Sequence, residues 1–264
     1  MHFGQYFWSQ FLLSWPVVFV CFQCACWRGN YCFFKHNLFG LPCAIAEKEI
    51  AAYLLPPLIG DITLSKRRAF FDSIASVWDE RFYHIAKDQK NLDHHCALFD
   101  IKKGHKILDI GCGTGVMFGR LKRLAGKRGR VIGIDFSSAM IKRAKNKHKK
   151  DRKNFICADA HYLPFEGKTF DRVICFSCFP HFFDKKKAVK EAVRVLKPKG
   201  IVIISHLCSS RKVAAIHKCA GSTVAKDFLP RKSDILYYIK YAGMKLVDFR
   251  DQKGLYLVKA QRVF

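Results

Sequence analysis

The sequence predicts an α/β fold: a mostly parallel sheet with helices on both faces, ending in one antiparallel strand. Three observations carry that expectation. Short apolar runs alternate with longer amphipathic ones from residue 106 to residue 242, the pattern of strand–helix repeats whose strands pair in parallel. The first run, Ile107-Leu108-Asp109-Ile110, leads directly into Gly111-Cys112-Gly113-Thr114-Gly115, where three alternate glycines mark a tight turn that lets backbone approach a bound molecule. Two final runs, Lys245–Arg250 and Leu255–Ala260, are separated only by Asp251-Gln252-Lys253-Gly254, and a link that short joins antiparallel strands.

Taken in order, the elements begin with a helical face. Phe70, Phe71, Ile74, Ala75, Trp78, Phe82 and Ile85 recur at three- and four-residue spacing between Lys66 and Lys90, as one side of a helix does. Strands are expected near residues 106–110, 130–134, 154–157, 170–176 and 200–205. Helices are expected near 116–125, 137–148, 184–196 and 233–242. Ligands in such sheets bind beyond the carboxyl ends of the strands. Gly111 to Gly115, Asp135, Asp159 and the loop after the fourth strand all fall at those ends.

The glycine turn and the carboxylate Asp135, about 20 residues on at the tip of the next strand, form a nucleotide-type βαβ unit. The spacing is G-x-G-x-G, not the G-x-G-x-x-G of dinucleotide sites, and the phosphate-binding G-x-x-x-x-G-K-[ST] pattern is absent. A nucleoside ligand without phosphates fits better. The run resembles the first motif of the class I S-adenosylmethionine-dependent methyltransferases. Asp135-Phe136-Ser137-Ser138-Ala139-Met140 resembles the second, and Cys157-Ala158-Asp159-Ala160 the third. Leu163-Pro164-Phe165, Phe170-Asp171-Arg172-Val173-Ile174, Glu191, Arg194-Val195-Leu196-Lys197-Pro198 and Gly200 resemble the ubiquinone/menaquinone-methyltransferase-like branch (methyltransferase type 11). Lys199 departs from it, since glycine is usual there.

The resemblance implies a Rossmann-like seven-stranded sheet with its last strand antiparallel. It implies S-adenosyl-L-methionine as cofactor, held by Asp109, Gly111, Cys112, Gly113, Gly115, Asp135, Phe136, Met140, Asp159, Ala160 and Phe176. In that family the second-motif acid holds the ribose hydroxyls and the third-motif aspartate meets the adenine amino group. Phe-Phe-Asp-Ser-Ile-Ala-x-x-Trp-Asp, residues 70–79, resembles the family's N-terminal cap helix over the active site, which places Phe71 and Trp78 on the acceptor side.

Composition sets the remaining bounds. The 264 residues carry a net charge of +26. From Asp61 onward there are 44 Lys and Arg against 19 Asp and Glu, densest between Lys142 and Lys153. A polyanion-facing surface and lysine-rich solvated helices are the two readings of that excess. The second is preferred, because the basic residues are spread along the chain with no aromatic pattern among them. Twelve cysteines, several in expected buried strands or at the glycine turn, point to a reduced, cytoplasmic protein.

Residues 1–60 are a different material, rich in Phe, Trp and Cys, with no Lys, Arg, Asp or Glu from Phe3 to Trp27. A membrane anchor and a non-native extension both remain open; a bilayer span takes about 20 apolar residues, and Pro16 interrupts this one. If it spans, Arg28 and Lys35 keep the following part cytoplasmic. Cys21, Cys24, Cys26 and Cys32 lack a matching His pair or second C-x₂-C, so no metal is assigned. The expected organisation is an apolar segment at 1–60, cap helices at 61–100 and the catalytic domain at 101–264.

The loop after the fourth strand, Cys175-Phe176-Ser177-Cys178-Phe179-Pro180-His181-Phe182-Phe183, lacks [NDS]-P-P-[YFW] and the Pro-Cys pair, the motifs of base methylation. A small-molecule methyl acceptor, lipophilic in the manner of a quinone precursor, is expected, and nucleic acid is not. His181 is the first candidate for acid–base work, since an imidazole titrates near neutrality, with His206 on the same rim. His217, also placed on the acceptor side, and Asp227, with His206, form a set open to a metal reading. Ser177-Cys178 and Cys219-Ala220-Gly221 resemble the cysteine positions of arsenite methyltransferases, so two thiols taking a soft metalloid are the alternative. RNA methylation, or a catalytically silent cofactor-binding protein with a basic docking face, completes the alternatives.

Overall fold

A computed structural model describes residues 64–83, 86–220 and 222–264. The chain divides into two units, Met1–Ile59 and Gly60–Phe264. The first lies outside the described residues, and with it the readings made for the apolar segment and its cysteines. Among the described residues no helix is long and apolar enough to cross a membrane.

The second unit holds one seven-stranded sheet in the order β3-β2-β1-β4-β5-β7-β6. Its strands are β1 (Lys106–Ile110), β2 (Arg130–Asp135), β3 (Phe155–Cys157), β4 (Phe170–Phe176), β5 (Leu196–His206), β6 (Met244–Gln252) and β7 (Leu255–Arg262). The first five pair in parallel, and β7 runs antiparallel between β5 and β6. β1, β2 and β4 are buried along nearly their whole length, as strands covered on both faces must be. Alternate β1 residues serve different cores. Leu108 and Ile110 join a cluster with Ala188, Val189, Ile235 and Ile239. Ile107 joins one with Leu92, Phe118, Leu121 and Ile141.

Helices in chain order are α1 (residues 64–74), α2 (Trp78–Phe82), α3 (Ala86–Ala97), α4 (Phe118–Ala125), α5 (Ser138–Lys147), α6 (Lys185–Val195), α7 (Ser210–Cys219) and α8 (Lys232–Tyr241). The sheet helices α4, α5, α6 and α8 start and stop within two residues of the expected bounds. Capping explains the starts: Ser137 accepts from the Met140 amide and Asp184 from the Lys187 amide, each satisfying an orphan donor of the first turn.

Two expectations need correction. The helix read between Lys66 and Lys90 is broken, passing through a 3₁₀ turn at Ala75–Val77 into the short α2. α3 then continues to Ala97 and buries Leu92 and Cys96, which the spacing had not marked. β5 begins four residues before its expected start, because Leu196 pairs with Phe170 ahead of a register shift. Lys199 sits inside it at φ 63, a left-handed conformation that explains why glycine is usual at this position.

Sheet order places a switch point between β1 and β4, where the chain turns to opposite sides of the sheet. Crevices for ligands open at such points.

Candidate active site

A cavity opens at this switch point and encloses about 860 Å³ counted to its mouth, within the range of roughly 300–1,000 Å³ usual for small-molecule sites. Its floor is the glycine turn. Gly111, Gly113 and Gly115 have φ of 67°, 54° and 77°, values that only glycine adopts without strain. They serve different neighbours. A Cβ on Gly111 would stand 2.4 Å from the Cβ of Cys178, so this glycine exists to let the loop after β4 close over the end of β1. Gly115 faces the ring of His148 and is not among the residues that line the cavity. Gly113 is the open one: the nearest atom to its missing Cβ is Trp78 Nε1, at 3.7 Å.

Two carboxylates flank the turn. Asp135 accepts from the Gly113 amide and from the Ser137 amide, both at 2.9 Å. Each oxygen keeps a lone pair beyond those bonds. Asp109 is 1% exposed, and its Oδ2 has no partner among the described residues. Burial, reinforced by the charge of Asp135, pushes the Asp109 carboxyl up to about 8, and burial lifts Asp135 to about 6 against its two amide bonds. A buried carboxyl oxygen without a hydrogen-bond partner costs free energy in the protein alone. A bound molecule bringing hydroxyl or ammonium donors removes that cost, and an adenosyl sulfonium amino acid carries both.

The side walls are aromatic. Phe71 meets Phe136, Trp78 and the His181 ring edge-on, at centroid distances of 5.7, 6.0 and 5.0 Å. Phe176, Met140, Ala160 and Phe182 also line the hollow. Asp159 lies at its far end with its Oδ1 taken by His161, through the amide at 2.9 Å and the ring Nδ1 at 2.5 Å. Burial alone would raise the Asp159 carboxyl; the His161 bonds outweigh it and hold it below the usual range.

Of the residues marked for the cofactor, all but Gly115 line the cavity. Of those marked for the acceptor, Phe71, Trp78, Cys178 and His181 line it, while His217 and Cys219 do not. His217 is buried behind His181. Cys219 is exposed at the end of α7. The Cys178 thiol donates to the Ile110 carbonyl at 3.0 Å, and burial, with Cys175 beside it, pushes it well above the usual thiol range. That is the surrounding of a packing cysteine, not of a thiolate. His206 also lies off the wall. Its Nδ1 accepts from the Cys208 amide, and burial beside His181 and His217 pulls its imidazole down to about 3. No group of three His, Cys, Asp or Glu among the described residues is arranged to hold a metal ion.

Sequence reading did not find the polar latches that hold the cap. Asp72 on α1 accepts from the Ser137 hydroxyl at 2.5 Å and the Ala139 amide at 3.1 Å. Asp79 on α2 bonds the Thr114 hydroxyl and pairs with Lys147 at 2.7 Å. Both clip the cap onto the turns that follow β1 and β2. An aspartate two residues after Phe70 and one residue after Trp78 were the available signals, but a helix-surface aspartate looks the same whether free or latched.

Comparison with known proteins agrees with this geometry. Residues 108–204 match the family model described as a methyltransferase domain. A demethylmenaquinone methyltransferase of Staphylococcus epidermidis is 32% identical over 196 residues, covering 70% of this chain and 80% of that protein. The chain belongs to the class I S-adenosylmethionine-dependent methyltransferases. An uncharacterized protein of Methanocaldococcus jannaschii is 35% identical over 138 residues, 52% of this chain and 50% of that one. The chain thus spans only about half the length of that relative and of several others in the family. A SAM-dependent methyltransferase from Aquifex aeolicus shares the fold with a TM-score of 0.54 at 21% identity, covering 65% of this chain and 89% of that one.

Proposed function

We propose that this chain transfers a methyl group from S-adenosylmethionine to a small, lipophilic, ring-bearing acceptor. The observation that carries the reading is the unpartnered Asp109 oxygen, buried beside Gly113 and Asp135 at the switch point. Asp135 would hold the ribose hydroxyls through its spare lone pairs. Asp109 would receive the donors of the amino-acid end, and Asp159 would meet the adenine amino group at the far wall. The cofactor supplies an electrophilic methyl group on sulfonium sulfur. What the protein must then add is alignment of the acceptor and exclusion of water, and the wall of Phe71, Trp78, Phe136, Phe176 and Phe182 suits an apolar ring. The activity named for the Staphylococcus epidermidis relative, on demethylmenaquinone, supports an acceptor of that kind.

Calorimetry tests the reading. The full chain is expected to bind S-adenosylmethionine, and Asp135→Ala to weaken it at least about tenfold, the loss of one or two hydrogen bonds to a charged group. Unchanged affinity in the variant would remove the ribose assignment.

A further inference from the structure

His181 ends the 3₁₀ turn Phe179–His181 that follows β4, and its ring lines the cavity. Its Nδ1 lies 2.8 Å from Asp227 Oδ2. A carboxylate only accepts, so Nδ1 carries the hydrogen and the neutral ring keeps its lone pair on Nε2. No described residue hydrogen-bonds Nε2; the ring's other neighbours are Phe71 and His217, in ring contacts.

The carboxylate behind the ring is itself held. Arg67 on α1 donates to both Asp227 oxygens, at 2.5 and 2.6 Å, and to the His181 carbonyl at 3.4 Å. His217 Nδ1 donates to the Asp227 carbonyl at 2.7 Å, and its ring packs against His181 at 4.8 Å. The side chains of Asp227, Arg67 and His181 are 4%, 13% and 14% exposed. Three other chain segments therefore converge on the His181 imidazole, and among the described residues no acid other than Asp227 touches it.

Charges around the ring set its state. Burial pulls the His181 imidazole below its usual range, Asp227 pulls the other way, and His217 and Arg67 add to the lowering. Lys185 on α6 turns its ammonium to the Pro180 and Phe182 carbonyls, and His206 lies close enough to be felt. Burial would raise Asp227, yet its bonds from His181 and Arg67 hold it below the usual carboxylate range. At neutral pH the set is a neutral imidazole backed by an anion whose charge Arg67 balances.

We propose that His181, held by Asp227 and Arg67, is the catalytic base for an acceptor whose reactive group is a protonated hydroxyl, phenolic or enolic. The proposal rests on the methyltransferase reading and deepens it. A neutral amine attacks without prior loss of a proton, and an oriented base would add nothing for it. A phenol is a poor nucleophile until its proton leaves, and a positioned base contributes about 10²–10⁴ in rate. In the step, the hydroxyl proton passes to His181 Nε2 while the acceptor oxygen bonds the methyl carbon. The methyl–sulfur bond breaks with its electron pair staying on sulfur, and the imidazolium then returns its proton to water. Asp227 and Arg67 are positioning residues, acting through His181.

Two measurements on the full chain test this. Long-range proton–nitrogen correlation on histidine-labelled protein should show His181 with hydrogen on Nδ1 and none on Nε2 at neutral pH; the reverse tautomer overturns the proposal. Methyl transfer from labelled S-adenosylmethionine should then be compared on phenol, un-ionised at pH 8, and 4-nitrophenol, mostly ionised there. Asp227→Asn is expected to lower kcat on phenol by about 10²-fold or more with KM changed less than about threefold, and to lower kcat on 4-nitrophenol less than about tenfold. His181→Gln, which keeps the packing, should show the same split. Equal losses on both phenols, or no loss, overturn the proposal. Cofactor binding without turnover of either phenol overturns the acceptor class. No cofactor binding at all removes the methyltransferase reading instead.

Discussion

The two walls of the cavity are built on opposite plans. The cofactor wall comes from one contiguous turn, Asp109 to Gly113, and the tip of the neighbouring strand at Asp135. It leaves a buried carboxyl oxygen without a partner among the described residues. On the acceptor side His181 faces the cavity, with Arg67, His217 and Asp227 behind it; the Asp227 carboxylate is paired internally, while Arg67 Nε has no partner among the described residues. The first wall is costly when empty and cheap when filled. The second is already assembled before any acceptor arrives. A site that must first recruit a cofactor and then orient a reactant gains from that division.

Substitutions can break the comparison, and the largest effect belongs to the contiguous wall. Gly111→Ala forces a Cβ to 2.4 Å from Cys178 at φ 67°. Clash and left-handed strain together are expected to destabilise by about 3 kcal/mol or more, read as a shifted denaturation midpoint. Because the clash is with one side chain, Cys178→Gly in the same chain should recover part of the loss, leaving only the strain.

On the dispersed wall, Arg67→Met leaves the Asp227 carboxylate buried with two bonds fewer and without the guanidinium that balances it. It is expected to cost roughly 3 kcal/mol. The same variant should raise the His181 pKa, readable by NMR titration, because an uncompensated anion then faces the ring.

A pH scan separates the walls by sign. Folded Asp109 keeps its proton up to about pH 8, whereas an unfolded aspartate releases it near 4. Between those values the folded state binds more protons, so the stability of the cofactor-free protein falls as pH rises, by at most about 1.4 kcal/mol per pH unit for this group. Asp135 adds to the same trend below about pH 6. Asp109→Asn should flatten the slope of thermal denaturation midpoint against pH. Asp227, held low, acts oppositely: its contribution is present above the unfolded pKa of about 4 and is lost as pH falls through the lower folded value.

The smallest effect tests the cap. Lys147 pairs with Asp79 at a half-exposed site, and Lys147→Ala is expected to cost less than about 1 kcal/mol. A larger loss would show that the latch onto the cofactor turn depends on that pair more than on the Thr114 hydroxyl.

Much of the fold could be read from local rules. β1, β2 and β4, and the four sheet helices α4, α5, α6 and α8, announce themselves because a buried parallel strand needs an unbroken apolar run and a covering helix needs one apolar face. The break of the cap after Ile74 could not be read that way. Phe71, Ala75 and Trp78 keep helical spacing through the 3₁₀ turn, and their burial against Met140 and Phe136 decides the path. The separate neighbours of the glycines were hidden for a related reason. Three glycines in a row of alternates look equivalent, and only the neighbours His148 and Cys178 show that two of them relieve protein contacts.

What the sequence determined by itself is the plan of the cofactor half: a glycine turn after β1 and a carboxylate at each strand tip, all within 27 residues, where short covalent connection sets most of the geometry. Only the tertiary structure decided the acceptor half. Arg67 and Asp227 are 160 residues apart, and nothing in either neighbourhood requires the other. Sheet order brings the loop after β4 against the segment after α7, and the docking of α1 supplies the cation. An ion pair made across such distances depends on where whole elements pack, which residue types along the chain do not encode locally.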